Sequence, residues 1–131
     1  MTRLKQTLAA AVGLAAFAGV ATAQPDGAAL YADNCSGCHQ TTGKGIPGAF
    51  PSLAGDPFVV GRPEPVASTV LNGRGGMPTF GKDLADDEIA AILTFVRSSW
   101  GNHGPPIDAA LVKAERNAGN QLQKAAPVQA H

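Results

Sequence analysis

The strongest hydrophobic period in the chain runs from Ala85 to Trp100. Ile89, Ile92, Leu93, Val96 and Trp100 recur there at helical spacing. The pattern predicts a helix, stopped by Gly101. Ala85 has no side-chain oxygen, so Asp86 or Asp87 is expected to cap it, and both acids suit a helix N-terminus. A shorter helix is expected over Asp26–Asn34, capped by Asp26, with Leu30 and Tyr31 as its large apolar residues. Glu64–Asn72 predicts one or two helical turns. Pro65 suits the first turn, Val66 and Val70 share a face, and Gly73 ends it. Between these elements the period disappears. Gly43, Gly45, Pro47, Gly48, Pro51, Gly55, Pro57 and Gly61 punctuate residues 40–62, and regular structure does not run through such a segment. It predicts an Ω-like wrap with Ile46, Phe50, Leu53 and Phe58 turned toward a ring that it encloses, and Val59-Val60 as a weak strand fragment.

The two ends of the chain read differently. Arg3 and Lys5 precede an uncharged apolar run of 14 residues, Leu8–Ala21, and Ala21-Thr22-Ala23 is a small-x-small cleavage site. Residues 1–23 therefore predict a secretory signal peptide. The competing reading, a retained membrane anchor, suffers from a run too short for about 30 Å of hydrocarbon. Cleavage would leave an exported chain with 8 basic and 10 acidic side chains and no stable membrane span. At the other end, Gly104-Pro105-Pro106 separates residues 103–131 as an extension. An amphipathic turn or two is expected over Ile107–Asn117, capped by Asp108, with Leu111 and Val112 resting on the domain. Beyond Gly119 the polar, Ala-rich sequence is expected to be disordered.

Composition narrows the function. Ten basic and ten acidic side chains over 131 residues give no basic excess for nucleic acid. Beyond the leader the aromatics are Tyr31, Phe50, Phe58, Phe80, Phe95 and Trp100, so the packed domain is placed at residues 24–102. A core of that size is marginal without a disulfide, a metal or a bound group.

The sequence supplies a candidate for that group. Its two cysteines stand as Cys35-Ser36-Gly37-Cys38-His39. C-x-x-C-H is the pattern of covalent c-type haem attachment: two thiols join the porphyrin vinyls and the adjacent imidazole faces the iron. A thioredoxin-type dithiol calls for a βαβ context, which is missing from the pattern. A disulfide across two residues would staple nothing distant. Zinc needs four ligands, and the other histidines are only His103 and His131. Met77 is the one methionine besides the initiator, set in Gly73-Arg74-Gly75-Gly76-Met77-Pro78-Thr79-Phe80. Glycines allow close backbone approach to a flat ring, and Pro78 directs the chain after it. Met77 is thus the candidate sixth iron ligand, against a reading as core filler. His103 as a ligand is the lesser alternative to a solvated histidine. Arg74 is read either as a partner for a haem propionate or as an exposed loop residue. Burying several hundred Å² of ring and matching side chains is worth on the order of 10 kcal/mol, so haem supplies the missing core.

These residues resemble a class I cytochrome c of bacterial type. The likeness covers about Asp26–Asn102 and rests on Gly27, Tyr31, Cys35-x-x-Cys38-His39, Pro51-Ser52-Leu53-Ala54-Gly55, Gly76-Met77-Pro78-x-Phe80 and the helix through Trp100. The resemblance implies an all-α, small cytochrome c fold of three to four short helices around one covalent haem c, with long Gly/Pro-rich loops. It further implies that Gly27, Tyr31 and Phe95 meet where the terminal helices cross. Pro51 would give its carbonyl to the axial His39, and Ile92 and Val96 would pack on the haem. Small cytochromes and cytochrome domains that accompany periplasmic dehydrogenases look like the nearer relatives. Ala85 departs from the family, which often has Ser there, and no basic ring surrounds the expected haem edge.

A His/Met pair closes both axial positions, which favours one-electron transfer over catalysis. The expected protein is a non-enzymatic electron carrier in the periplasm. Its partners would be a donor dehydrogenase or reductase and an acceptor oxidase or cytochrome, with the chain either free or a dehydrogenase subunit. The alternative is a haem enzyme or a gas or redox sensor with a labile sixth ligand. Met77 and the lack of a distal acid/base pair argue against it.

Overall fold

The computed structural model describes residues 23–125. The expected leader, residues 1–23, lies outside it except for Ala23, as do residues 126–131. The described chain is helical: α1 (Gly27–Asn34), α2 (Ser36–His39), α3 (Pro57–Val60), α4 (Pro63–Asn72), α5 (Asp86–Ser98) and α6 (Ala109–Ala125). Among the described residues there is no strand, only isolated antiparallel bridges Ile46–Phe50 and Arg74–Met77. The all-α expectation holds, with six helices rather than three or four because α2 and α3 are single turns. None of the described helices is long and apolar enough to cross a membrane.

Asp26 caps α1 as its sequence predicts, its Oδ1 accepting from the N–H groups of Ala28 and Ala29 at 3.0 and 3.2 Å. The helix then crosses α5 at close range. A Cβ on Gly27 would collide with the carbonyl of Ala91 and stand 3.2 Å from Phe95 Cβ, so only glycine allows this crossing. Tyr31 packs there on Phe95 and Trp100, with ring centroids 5.4 and 5.1 Å away.

Val59-Val60 corrects the expectation of a strand fragment. Both residues belong to the helical turn α3. Asp56 caps it by accepting from Phe58 N–H at 2.7 Å, and Pro57 presets its first position. A β-branched pair without a neighbouring strand gains nothing from extension.

α5 carries the predicted period but differs at both ends. The N-cap position is Ala85, and Asp87 takes part in the capping as expected, its Oδ1 accepting from the Glu88 N–H at 3.0 Å. Glu88 reaches back to accept from the Ala85 N–H at 2.8 Å, while Asp86 is engaged by Arg116. At the far end Trp100 lies outside the helix at φ 54. Its indole N–H donates to the Thr41 carbonyl at 3.1 Å, and its ring covers Gly43. Those contacts hold the ring where a continuing helix would not place it.

α5 separates two buried clusters. One face, with Val66, Ala67 and Leu71 of α4 and Ile107 and Val112, buries Ile89, Ala90 and Leu93. The other joins Ile92 and Val96 to Tyr31 and Val59. The C-terminal extension is therefore part of the packing, and α6 corrects the expectation of disorder after Gly119. It continues to Ala125. Asp108 opens it by accepting from Leu111 N–H at 2.8 Å, Val112 is fully buried, and Gly119 lies against the Asn72 side chain. Ala, Glu, Lys and Gln, all good helix formers, carry it on.

Candidate haem site

Cys35 ends α1, its N–H donating to the Tyr31 carbonyl at 2.9 Å, and opens the turn α2. His39 N–H returns to the Cys35 carbonyl at 3.0 Å. One helical turn thus presents Cys35, Cys38 and His39 at i, i+3 and i+4, a shared face. Both thiols are free and half-buried. Burial, and secondly the charge of Cys38, push the Cys35 thiol up to about 11. A dithiol oxidoreductase carries the opposite shift at its attacking cysteine. Among the described residues no three His, Cys, Asp or Glu side chains gather as a metal-ligand set, which leaves zinc without its ligands.

His39 is 9% exposed, and its Nδ1 lies 3.0 Å from the Pro51 carbonyl oxygen. A carbonyl can only accept, so Nδ1 carries the proton and Nε2 keeps its lone pair. Such a histidine is prepared for a metal at Nε2. The wrap that delivers Pro51 closes on itself, with Ile46 and Phe50 exchanging N–H···O bonds of 2.9 and 2.8 Å. Gly45 makes this possible. It sits at φ 63, and a Cβ there would collide with the carbonyls of Phe50 and Pro51.

Ile46, Phe50 and Phe58 are large and apolar, yet 41%, 38% and 39% exposed. The wrap is expected to turn them toward a ring, and the protein alone does not cover them. Open apolar side chains on the same 40–62 segment as Pro51, which holds the His39 imidazole, suit a flat apolar group with a metal centre, and the residues present suit a haem.

Met77 lies on a separate loop. Its N–H donates to the Arg74 carbonyl at 3.0 Å, and Gly73 at φ 74 packs against the carbonyls of Met77 and Pro78. Arg74 is exposed and stacks its guanidinium 5.6 Å from the Phe58 ring centroid, tying the loop to α3. Ile92 and Val96 are buried with Tyr31 and Val59, and Cys35 packs against the same cluster. His103 is exposed.

Sequence reasoning missed Arg97 and Asn102. Arg97 is fully buried and donates to the carbonyls of Val59, Gly61 and Pro105 at 2.5, 3.1 and 2.8 Å. Desolvation lowers its pKa. Asn102 donates to Val96 and Leu53 carbonyls and accepts from Gly55 N–H at 2.8 Å. Together they hold residues 53–61 against α5. A polar residue on an otherwise apolar face was the available signal for Arg97, while Asn102 gave none.

The family model described as cytochrome c oxidase, cbb3-type, subunit III matches residues 22–96. Cytochrome c-552 of Thermus thermophilus is 40% identical over 115 residues, covering 76% of this chain and 74% of the relative. The gluconate 2-dehydrogenase cytochrome c subunit of Pantoea cypripedii is 34% identical over 118 residues, 80% of this chain and 25% of that protein. The fructose dehydrogenase cytochrome subunit of Gluconobacter japonicus is 37% identical over 117 residues, 77% of this chain and 24% of that protein. The chain thus spans about a quarter of the dehydrogenase subunits it matches, against most of cytochrome c-552. It belongs to the cytochrome c family, electron-transfer proteins with covalently bound haem c, and its domain is of the cbb3 type.

Proposed function

We propose that Cys35 and Cys38 hold one haem c through thioethers, that His39 and Met77 are its axial ligands, and that the chain carries single electrons between redox proteins of the periplasm. The donor is a dehydrogenase or reductase complex and the acceptor an oxidase or another cytochrome. The chain acts free or as a dehydrogenase's cytochrome subunit. The observation that carries this reading is the 3.0 Å bond between His39 Nδ1 and the Pro51 carbonyl, one helical turn after Cys35.

When bound, haem c supplies a ferric–ferrous couple. The chain's own residues set its surroundings. The Pro51 carbonyl holds the His39 ring in one tautomer and raises the basicity of Nε2. The Met77 sulfur is a soft donor that favours the reduced metal. Val59, Ile92 and Val96 form a buried apolar cluster against Cys35 that would lie on the ring, and Ile46, Phe50 and Phe58 offer apolar surface still open. With His39 and Met77 as its ligands the metal would keep no position for a substrate, and the relatives do not favour a haem enzyme or sensor.

The direct test is Met77→Ala in the haem-loaded protein. Haem is expected to stay attached, the iron to bind added imidazole or cyanide, and the reduction potential to fall. An unchanged potential with no binding of either ligand would count against Met77.

A further inference from the structure

α6 reaches back over the segment that follows Met77. Arg116, near the middle of α6, donates from Nε to Asp86 Oδ1 at 2.7 Å, from Nη2 to the Leu84 carbonyl at 2.9 Å and from Nη1 to the Gly81 carbonyl. All three acceptors lie within residues 81–86. The Arg116 and Asp86 side chains are 23% and 27% exposed, so the ion pair is largely shielded from water. Gly81 is gripped from the opposite side too. Its N–H donates to the Leu71 carbonyl at 3.1 Å, and the Phe80 N–H to the Val70 carbonyl at 3.0 Å. A Cβ on Gly81 would stand 2.7 Å from the Leu71 oxygen and 3.5 Å from Arg116 Nη1. The chain is thus clamped between the end of α4 and the Arg116 fork. A charged, forked donor holds carbonyls more firmly than a neutral one.

Met77 sits in the span between two anchors. The upstream anchor is local: Gly73 N–H donates to the Thr69 carbonyl at 2.9 Å. The downstream anchor is shared: α4 holds Phe80 and Gly81 through backbone bonds, and Arg116 of α6 holds Gly81, Leu84 and Asp86. We propose that Arg116 is a positioning residue for the Met77 thioether, setting how readily the sulfur leaves its axial position to admit another ligand. The inference rests on the reading of Met77 as an axial ligand. It couples the C-terminal helix to the metal through the fork alone: breaking the Arg116 contacts with residues 81–86 loosens the sulfur.

The test uses the full haem-loaded chain with Arg116→Met, Arg116→Lys, Val112→Ala and Met77→Ala. The readouts are imidazole affinity of the ferric protein, the thioether–iron charge-transfer absorption and global stability to denaturant. Arg116→Met is expected to weaken that absorption and raise imidazole affinity by about tenfold or more, the factor given by 1.4 kcal/mol of lost restraint. Arg116→Lys, which retains the charge, falls between. Val112→Ala loosens α6 packing without removing the fork, so it loses stability but keeps imidazole affinity near the parent's. The inference is overturned if Arg116→Met binds imidazole no better than the parent. It is also overturned if Val112→Ala gains as much affinity for the same loss of stability. Met77→Ala separates the two levels. If it gains affinity while Arg116→Met does not, only the role of Arg116 fails. If Met77→Ala gains none, the axial reading falls and this inference with it.

Discussion

Tyr31 shows how much a single side chain is asked to do. Its phenol donates to the Gln40 carbonyl at 2.7 Å, joining α1 to the residue after His39. Burial first, and the charge of Cys35 second, push it up from 10.0 to about 12. Once Cys35 is a thioether the second cause disappears and burial remains. The raised folded value means that the contribution to stability is complete below pH 10, the unfolded value, and is lost as pH rises toward about 12. Tyr31 is the only tyrosine, so an ultraviolet titration reads it alone. It is expected to stay protonated in the native protein at pH about 10, where a free phenol is half ionised. Ionisation there in the folded state would show that the hydroxyl is not sequestered. Spacing marks Cys35, Cys38 and His39 as candidates, and Met77 is a candidate as the one methionine besides the initiator, set among Gly and Pro. The partner of His39 required the family resemblance, because Pro51 is twelve residues away and nothing local marks it.

At the scale of elements, α5 is the part both clusters share, and Arg97 on it fastens the loop that carries Val59. Among the described residues its guanidinium meets no carboxylate within hydrogen-bond reach; it donates to the carbonyls of Val59, Gly61 and Pro105, and at 3.5 Å to that of Val60. Removing it would leave those acceptors buried and unpaired. Arg97→Met is expected to cost about 2–4 kcal/mol, which in a domain of this size lowers Tm by roughly 10 °C or more. A melting temperature within a degree or two of the parent would mean that water replaces the guanidinium. The period of α5 was readable because one face is apolar throughout. Its capping by Glu88 was not, since the choice among three neighbouring acids depends on Arg116 taking Asp86. The turn α3 was misread as extended because Val59 and Val60 were weighed without Asp56 and Pro57 before them.

For the whole molecule, the two clusters make unequal demands on haem. The cluster of α4, α5 and α6 closes with protein side chains alone. The one around Tyr31, Val59, Ile92 and Val96 is smaller and has Cys35 packed against it, while Ile46, Phe50 and Phe58 elsewhere on residues 40–62 stay open. A Cys35→Ala/Cys38→Ala variant lacking haem is therefore expected to melt without a cooperative transition in the far-ultraviolet. A sharp, cooperative melt from that variant would show that the haem is not needed as core.

The order of residues by itself marks the C-x-x-C-H motif, the candidate thioether and the main helix, and the resemblance these carry implies the all-α class. Spacing within about a turn and residue chemistry are both local. Only the tertiary structure decided that α6 runs on past Gly119 to Ala125 and that Arg97 and Asn102 are buried. It also decided that Trp100 leaves its helix to cover Gly43. Those outcomes depend on which surfaces meet across 30 or more residues: Arg97 with Val59, Asn102 with Leu53 and Gly55, Arg116 with Gly81. A polar side chain declares its partner only when the fold brings a carbonyl to it.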